Sequence, residues 1–206
     1  MNKFYSLNIT EINTLTSDSV EIKFEIPSDI SEKFKFKAGQ YITIKHNING
    51  EEIRRSYSLC SDPNTNEIAV GVKRVERGKM STFLTKEIKI GDVLEVMPPT
   101  GNFVFEEGNV VAICAGSGIT PILSMMKSSN SLFTLIYGNK TIESSMFYDE
   151  IRDNLRIRLY GEDYEWSQRQ RWIDRFSSVK FDTNNKIEKS INHARLVIST
   201  YSGTIH

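Results

Sequence analysis

A glycine turn in the second half of the sequence has the residue types and spacing of a phosphate-binding loop. Residues 116–118, Gly-Ser-Gly, follow the continuous apolar run Val110–Ala115 and precede a helix-like stretch. Glycines let the backbone approach an anion closely, and the first N–H groups of a helix point at it. Gly116 and Gly118 fit the first two positions of a dinucleotide fingerprint, and Pro121 replaces the third glycine. We predict phosphate binding at this turn, the alternative being a tight strand–helix connection that binds nothing.

The end of the next apolar strand bears on the type of dinucleotide. An acidic residue about twenty positions after the glycine turn would hydrogen-bond to the ribose 2′-hydroxyl of NAD. The strand ends instead in Tyr137-Gly138-Asn139-Lys140. A lysine there is better placed to meet a 2′-phosphate, which favours NADP, although Lys140 could also be a solvated loop charge.

A second stretch, Arg55-Ser56-Tyr57-Ser58, combines a cation, an aromatic ring and hydroxyl groups. An arginine can neutralise a pyrophosphate, an aromatic face can cover a flat ring system, and hydroxyls can donate to ring heteroatoms. Taken alone, the stretch is equally typical of an amphipathic edge strand.

The elements around this stretch are short strands separated by turns. Residues 20–26 alternate apolar and polar side chains up to Pro27, as a half-buried strand does. Asn49-Gly50 is a hairpin-turn dipeptide. Further strands are predicted over 41–45, 52–59, 67–75 and 93–97, the last ended by Pro98-Pro99, with a helix over 81–88. Antiparallel strands at this spacing indicate a barrel or a sandwich.

After Gly108 strands alternate with helices, which predicts a parallel sheet with crossover helices. Phe147, Ile151 and Leu155 form one apolar stripe of a helix predicted over 145–155. The other predicted strands are 110–115, 132–137, 156–160 and 195–200, and the other helices are one ending at Ser128 and one over 168–177. We therefore predict two domains, 1–106 and 107–206.

Composition excludes several classes of protein. The 26 Lys and Arg balance the 26 Asp and Glu, which argues against a nucleic-acid binder. Two separate cysteines and three scattered histidines form no metal-ligand pattern. The longest apolar run is too short to cross a bilayer, and the N-terminus is not a signal peptide, so a cytoplasmic protein is expected.

The order of these motifs resembles the ferredoxin–NADP⁺ reductase family, with the Arg-Ser-Tyr-Ser run in a β half and Gly-Ser-Gly-Ile-Thr-Pro, 116–121, in an α/β half. Segments 72–75, 78–82, 91–103 and 137–139 look like those of the reductases of multicomponent oxygenases, the phenylacetyl-CoA epoxidase reductases included. The resemblance runs from about Asn8 to Tyr160. It implies an antiparallel six-stranded FAD-binding barrel followed by a parallel-sheet NAD(P)-binding α/β domain, incomplete at its C-terminus.

The resemblance also implies roles for individual residues. Arg55, with Ser56 beside it, would pair with the FAD pyrophosphate. Tyr57 would stack on the isoalloxazine and Ser58 would hydrogen-bond near flavin N5, which places both at the reacting ring. The adenine side would be lined by the backbone of Val72 and Lys73, and the pyrophosphate would be held by Gly78, Met80, Ser81 and Thr82. The nicotinamide dinucleotide would be bound by Gly116, Gly118, Ile119, Thr120 and Pro121.

Some of the family's features are missing. A Cys-Gly-Pro segment is expected after Leu196-Val197-Ile198, where this chain has Ser199-Thr200. Tyr160-Gly161-Glu162 stands where relatives carry a Ser-Arg pair for the 2′-phosphate, although Arg169 and Arg171 lie near enough in sequence to substitute. Two isolated cysteines cannot hold the [2Fe–2S] cluster of a plant-type ferredoxin domain.

The resemblance implies an FAD-dependent NAD(P)H oxidoreductase that passes electrons to a ferredoxin-type iron–sulfur protein or an oxygenase component. One alternative is a flavin-binding electron-transfer subunit that does not itself turn over nicotinamide, since its pocket lacks Cys-Gly-Pro. Another is a nucleotide-binding protein without flavin, which the Arg55–Ser58 and Gly78–Thr82 segments disfavour. Neither nucleic acid nor a membrane is an expected partner.

Overall fold

The computed structural model describes residues 3–131, 133–152, 157–160 and 195–199. These divide into two compact units, one of residues 1–106 with 120–130 and one of residues 107–119 with 131–206. The helical segment 120–130 thus groups with the first unit. The domain limits 1–106 and 107–206 remain a prediction.

The first unit is built on a six-stranded antiparallel sheet in the order β4-β3-β6-β1-β2-β5. Its strands are β1 Tyr5–Thr16, β2 Ser19–Phe24, β3 Tyr41–Ile48, β4 Glu51–Ser58, β5 Ile68–Lys73 and β6 Val93–Thr100. A bridge between Leu59 and Val70 joins the end of β4 to β5, and so connects the two edges of the sheet. The predicted six-stranded antiparallel barrel is confirmed.

Alternating side chains fill the interior of the barrel, because successive residues of a strand point to opposite faces. Ile22, Ile42, Ile44 and Val70 are fully buried in one apolar cluster. The β3–β4 hairpin pairs Ile48 with Glu51 across the predicted Asn49-Gly50 turn. Both turn residues have positive φ, 54° and 83°, as a two-residue hairpin of this kind requires.

Strand β6 continues through Pro98-Pro99 to Thr100, so the predicted end at Met97 was wrong. Met97 pairs with Thr43 and Thr100 pairs with Tyr41, which leaves one more residue on β6 than on β3. This is a β-bulge, and prolines are tolerated at a bulge because it interrupts the ladder of hydrogen bonds.

Helix α1, Lys79–Lys86, follows β5 and begins two residues before the predicted start. Its Met80 and Leu84 belong to the apolar cluster of the barrel, and the helix contacts β3, β4 and β5. A 3-10 helix, Ser28–Phe34, packs Phe34 into the same cluster.

The second unit contains a four-stranded parallel sheet in the order β10-β7-β8-β9, which confirms the predicted parallel sheet. Its strands are β7 Val110–Ala115, β8 Phe133–Gly138, β9 Ile157–Tyr160 and β10 Arg195–Ser199. After β7 come a 3-10 turn, Gly116–Gly118, and helix α2, Ile119–Ser128.

Helix α3 spans Tyr148–Arg152, shorter than the predicted 145–155. Phe147 has a φ of 58°, a left-handed conformation that a right-handed helix cannot include, so the helix begins after it. Leu155 and the predicted helix 168–177 lie outside the described residues. No helix in the described part of the chain is long and apolar enough to cross a membrane.

Candidate functional site

Strand β4 presents the Arg55–Ser58 stretch on an open edge of the sheet. Along Glu51–Ser58 its only neighbour among the described strands is β3. Alternation places Arg55 and Tyr57 on the same face as the buried Ile53, because side chains two residues apart share a face. Arg55 is exposed and its Nη1 donates to the carbonyl of Arg54 at 2.7 Å.

The other residues of the stretch differ in what they offer a ligand. Tyr57 is half-buried against the barrel core and Ser58 is half-buried on the opposite face. The exposed Ser56 hydroxyl lies 3.1 Å from that of Thr43, within a cross-strand hydrogen bond. Tyr57 therefore offers a ring surface, and Ser58 lies one residue further along the same edge.

The first turn of α1 lies near this edge and is a candidate anion site. Gly78 precedes the helix, and no side chain of the described residues caps it. The first bond of the helix runs from the Thr82 N–H to the Gly78 carbonyl at 3.0 Å. The N–H groups of Lys79, Met80 and Ser81 thus have no acceptor within the helix, as in the first turn of any helix, and such groups favour a bound anion.

The Ser81 side chain is turned into the loop before α1. Its Oγ accepts the Val75 N–H at 3.1 Å and donates to the Gly78 carbonyl at 3.2 Å. A Cβ on Gly78 would lie 2.5 Å from that Oγ, so this position requires glycine. Ser81 and the buried Met80 can therefore offer a ligand their backbone N–H groups, while Thr82 is half-buried.

An ion pair between Lys79 and Glu51 links the first turn of α1 to the start of β4. The hydrogen bond and charge of Lys79 lower the pKa of the exposed Glu51 carboxyl, and the charge of Arg55 contributes further. Two cations thus act on one carboxylate. This leaves a positive excess beside the N–H groups of the helix.

Val72 and Lys73 lie on β5, at the other edge of the sheet. Val72 is fully buried and pairs with Val20, so it can meet a ligand only through its backbone. The ammonium of Lys73 forms an ion pair with Asp18 at 3.6 Å.

In the second unit the glycine turn adopts a 3-10 conformation. Gly116 has a φ of 51°, which favours glycine, and nothing lies within 4 Å of the place its Cβ would occupy. The Ile119 N–H is directed at the carbonyls of Gly116 and Ser117. Gly118, Ile119, Thr120 and Pro121 are buried, whereas Gly116 and Ser117 are half-buried. The accessible atoms of the predicted phosphate loop are therefore at its start.

Lys140 lies just beyond β8, at the same edge of the parallel sheet as the glycine turn. Ala115 pairs with Gly138, so β7 and β8 end side by side, and ligands of open parallel sheets bind at this edge. Lys140 is exposed.

Sequence reasoning missed Tyr137, because a tyrosine at the end of an apolar strand carries no signal of its own. Its buried hydroxyl donates toward the Gly116 carbonyl at 3.0 Å and the Met146 carbonyl at 3.3 Å. Burial raises the pKa of this hydroxyl and also that of the Cys114 thiol, so both stay protonated at neutral pH. No group of three or more His, Cys, Asp or Glu side chains among the described residues could hold a metal ion.

Comparison with known families divides the chain. A family profile described as an oxidoreductase FAD-binding domain matches residues 6–105. A second profile, described as LIC12162 family transferase, matches residues 145–206. The positions where we expected Cys-Gly-Pro and the Ser-Arg pair, together with Arg169 and Arg171, all fall within the second match.

The chain is similar to components of two oxygenase systems over about three-quarters of its length. One component of the 1,2-phenylacetyl-CoA epoxidase from Escherichia coli K12 is 40% identical over 163 residues, which are 74% of this chain and 46% of the relative. The ferredoxin reductase component of 3-ketosteroid-9-alpha-monooxygenase from Rhodococcus rhodochrous is 33% identical over 154 residues, 71% of this chain and 44% of the relative. The chain thus spans less than half the length of these relatives.

Among solved structures, a ferredoxin NADP⁺ reductase from Neisseria gonorrhoeae with bound FAD and NADP shares the fold. It is 21% identical, with a TM-score of 0.77, and the match covers 98% of this chain and 87% of the other.

Proposed function

Because the chain belongs to the ferredoxin–NADP⁺ reductase family, we propose that it accepts electrons from NAD(P)H and passes them through FAD to an iron–sulfur protein or an oxygenase component. The observation that carries the proposal is the first unit's open β4 edge beside the uncapped first turn of α1. Bound FAD supplies a two-electron acceptor that can release its electrons singly. The residues of the chain bind and orient it.

The arrangement fits the diphosphate of FAD. The N–H groups of Lys79, Met80 and Ser81 offer donors at a helix N-terminus, and Arg55 and Lys79 outnumber the single carboxylate of Glu51. Arginine can bind a phosphate through two parallel hydrogen bonds. We assign the pyrophosphate to this place, with the backbone of Val72 and Lys73 toward the adenine.

The ring system is assigned to Tyr57 and Ser58. The half-buried Tyr57 has its ring packed against the core, so it presents a pre-ordered surface for stacking. Ser58 projects from the other face of β4, and a ring stacked on Tyr57 would meet it at an edge. A hydroxyl at the ring edge can hydrogen-bond to the N5 position.

The nicotinamide dinucleotide is assigned to the glycine turn, with Gly116 and Gly118 at the phosphates and Ile119, Thr120 and Pro121 shaping the first turn of α2. Lys140, at the same sheet edge, supports NADP over NAD through charge attraction to a 2′-phosphate. The similarity to a ferredoxin reductase component supports an iron–sulfur partner, such as a ferredoxin.

A flavin-binding subunit that does not turn over nicotinamide is the second candidate. It is favoured by the burial of residues 118–121 and by the 3-10 conformation, in which the Ile119 N–H is directed into the turn. The transferase similarity of residues 145–206 also favours it, because the Cys-Gly-Pro position lies there.

The test is to supply FAD to the purified chain, record its visible spectrum, and then add NADPH or NADH without oxygen. We expect flavin absorbance that bleaches, and faster with NADPH. Flavin that stays oxidised with both nucleotides would support the second candidate, while a chain that retains no FAD would refute both.

Arg55→Ala should weaken FAD binding about tenfold, because a hydrogen bond to a charged group contributes roughly 1.5–3 kcal/mol. Arg54→Ala is the matched control, since Arg54 projects from the opposite face and pairs with Glu52 at 2.7 Å. Equal FAD affinity in the two variants, measured by fluorescence titration, would contradict the assignment of Arg55.

A further inference from the structure

The Tyr137 hydroxyl joins the glycine turn to the segment that follows β8. It lies 3.0 Å from the Gly116 carbonyl oxygen and 3.3 Å from that of Met146. Both oxygens can only accept, so the hydroxyl is the donor and its single proton is shared between them. The side chain is 7% exposed, which means that water does not readily replace this donor.

Strand register explains why Tyr137 can reach the turn. β7 and β8 are parallel with Cys114 opposite Tyr137, so the tyrosine stands beside the residue two positions before Gly116. Its hydroxyl then meets a carbonyl that the Ile119 N–H also approaches. Two donors from different elements thus hold one carbonyl of the turn.

This carbonyl fixes the orientation of the peptide between Gly116 and Ser117. A trans peptide is planar and its C=O and N–H point in opposite directions, so holding the carbonyl toward Tyr137 directs the Ser117 N–H away from it. Gly116 is in the left-handed region with a φ of 51°, and glycine by itself leaves this peptide free to rotate. The hydroxyl supplies the restraint that the backbone lacks.

We propose that Tyr137 is a positioning residue of the nucleotide pocket, which orders the Gly116–Ser117 peptide for binding the diphosphate of NAD(P). The inference rests on the proposed function, which places that ligand at the glycine turn. Tyr137 acts through the turn and does not touch the nucleotide. Removing its hydroxyl should weaken nucleotide binding and leave FAD binding unchanged.

The test is Tyr137→Phe in the full chain loaded with FAD, with Tyr148→Phe as the control. Tyr148 lies in the same unit at the start of α3, and its ring contact with Arg152 would survive in phenylalanine. NADP⁺ binding is measured by calorimetry, and hydrogen exchange is followed over residues 115–119. For Tyr137→Phe alone we expect about fivefold weaker binding, as for loss of one neutral hydrogen bond, faster exchange over this segment, and a raised KM at similar kcat.

The outcomes separate the inference from the function on which it rests. If the unsubstituted chain binds NADP⁺ and Tyr137→Phe binds it equally well, the positioning role is wrong and the proposed function survives. A lowered melting temperature with unchanged affinity would likewise make Tyr137 merely structural. If the unsubstituted chain binds neither NADP⁺ nor NADPH, the proposed function and the inference both fail.

Discussion

At the scale of single residues, Glu51 is the acidic group that the described part of the chain places among the cations of the proposed pyrophosphate site. It pairs with Lys79, and Arg55 acts on it as well. A phosphate that enters this site must compete with the carboxylate for both cations. Because these cations lower the pKa of Glu51, the carboxylate stays charged at neutral and mildly acidic pH, and the competition persists there.

Glu51→Gln should therefore tighten FAD binding by about two- to fivefold, a size typical of exposed ion pairs. The gain should shrink as salt is added, since salt screens exposed charges. Glu52→Gln is the control, because Glu52 projects from the other face of β4 toward Arg54 and Lys45. Weaker binding in Glu51→Gln than in the control would mean that Glu51 assists the flavin.

At the scale of elements, the loop before α1 depends on a closed set of hydrogen bonds. The Gly78 N–H donates to the Val75 carbonyl at 2.9 Å, and the Ser81 hydroxyl joins the Val75 N–H to the Gly78 carbonyl. These bonds determine where the first turn of α1 begins. The helix can present its N–H groups to an anion only while this loop keeps its shape.

Gly78→Ala should disturb this loop, because the added Cβ would lie 2.5 Å from Ser81 Oγ. We expect a loss of about 1–3 kcal/mol in the free energy of unfolding, the usual range for overpacking, and at least tenfold weaker FAD binding. Gly138→Ala is the comparison, since the nearest atom to its Cβ would be 3.8 Å away. Denaturant unfolding and FAD titration measure the two effects, and normal FAD affinity in Gly78→Ala would contradict the role given to this turn.

Regular strands were predictable where side-chain patterning alone decides them. The apolar run 110–115 became β7 with the same bounds, because a strand buried on both faces shows no alternation. The prolines of β6 misled us, since the bulge that accommodates them depends on pairing with β3. Phe147 fits an apolar helical stripe, yet its left-handed φ of 58° is set by local backbone geometry that periodicity does not reveal.

The candidate site was predictable to the level of segments. Resemblance located the Arg55 run and the Gly78–Thr82 turn, but sequence alone did not show that Ser81 spends its hydroxyl on the loop. It also gave no sign that Glu51 pairs with Lys79, 28 residues away. Contacts between residues so distant in sequence follow from the closure of the barrel. Tyr137 was missed for the same reason, since only the register of β7 and β8 brings it to Gly116.

At the scale of the whole molecule, the chain combines two units with different affinities for known families. The FAD-binding match, 6–105, lies within the first unit, and the transferase match, 145–206, lies within the second. A ligand stabilises the part of a protein that must be folded to bind it. Flavin should therefore stabilise the barrel more than the parallel sheet.

This difference can be measured by hydrogen exchange with and without FAD. At a free FAD concentration of 100 times the Kd, binding stabilises the folded barrel by about 2.7 kcal/mol, which slows exchange through its unfolding about 100-fold. We expect this for amides of the buried strands β2 and β3, and a much smaller change for β7 and β8. Equal slowing in both sheets would show that the two units unfold together. No slowing in β2 and β3 would refute flavin binding by the barrel, because a ligand held there must oppose the unfolding that exposes those amides.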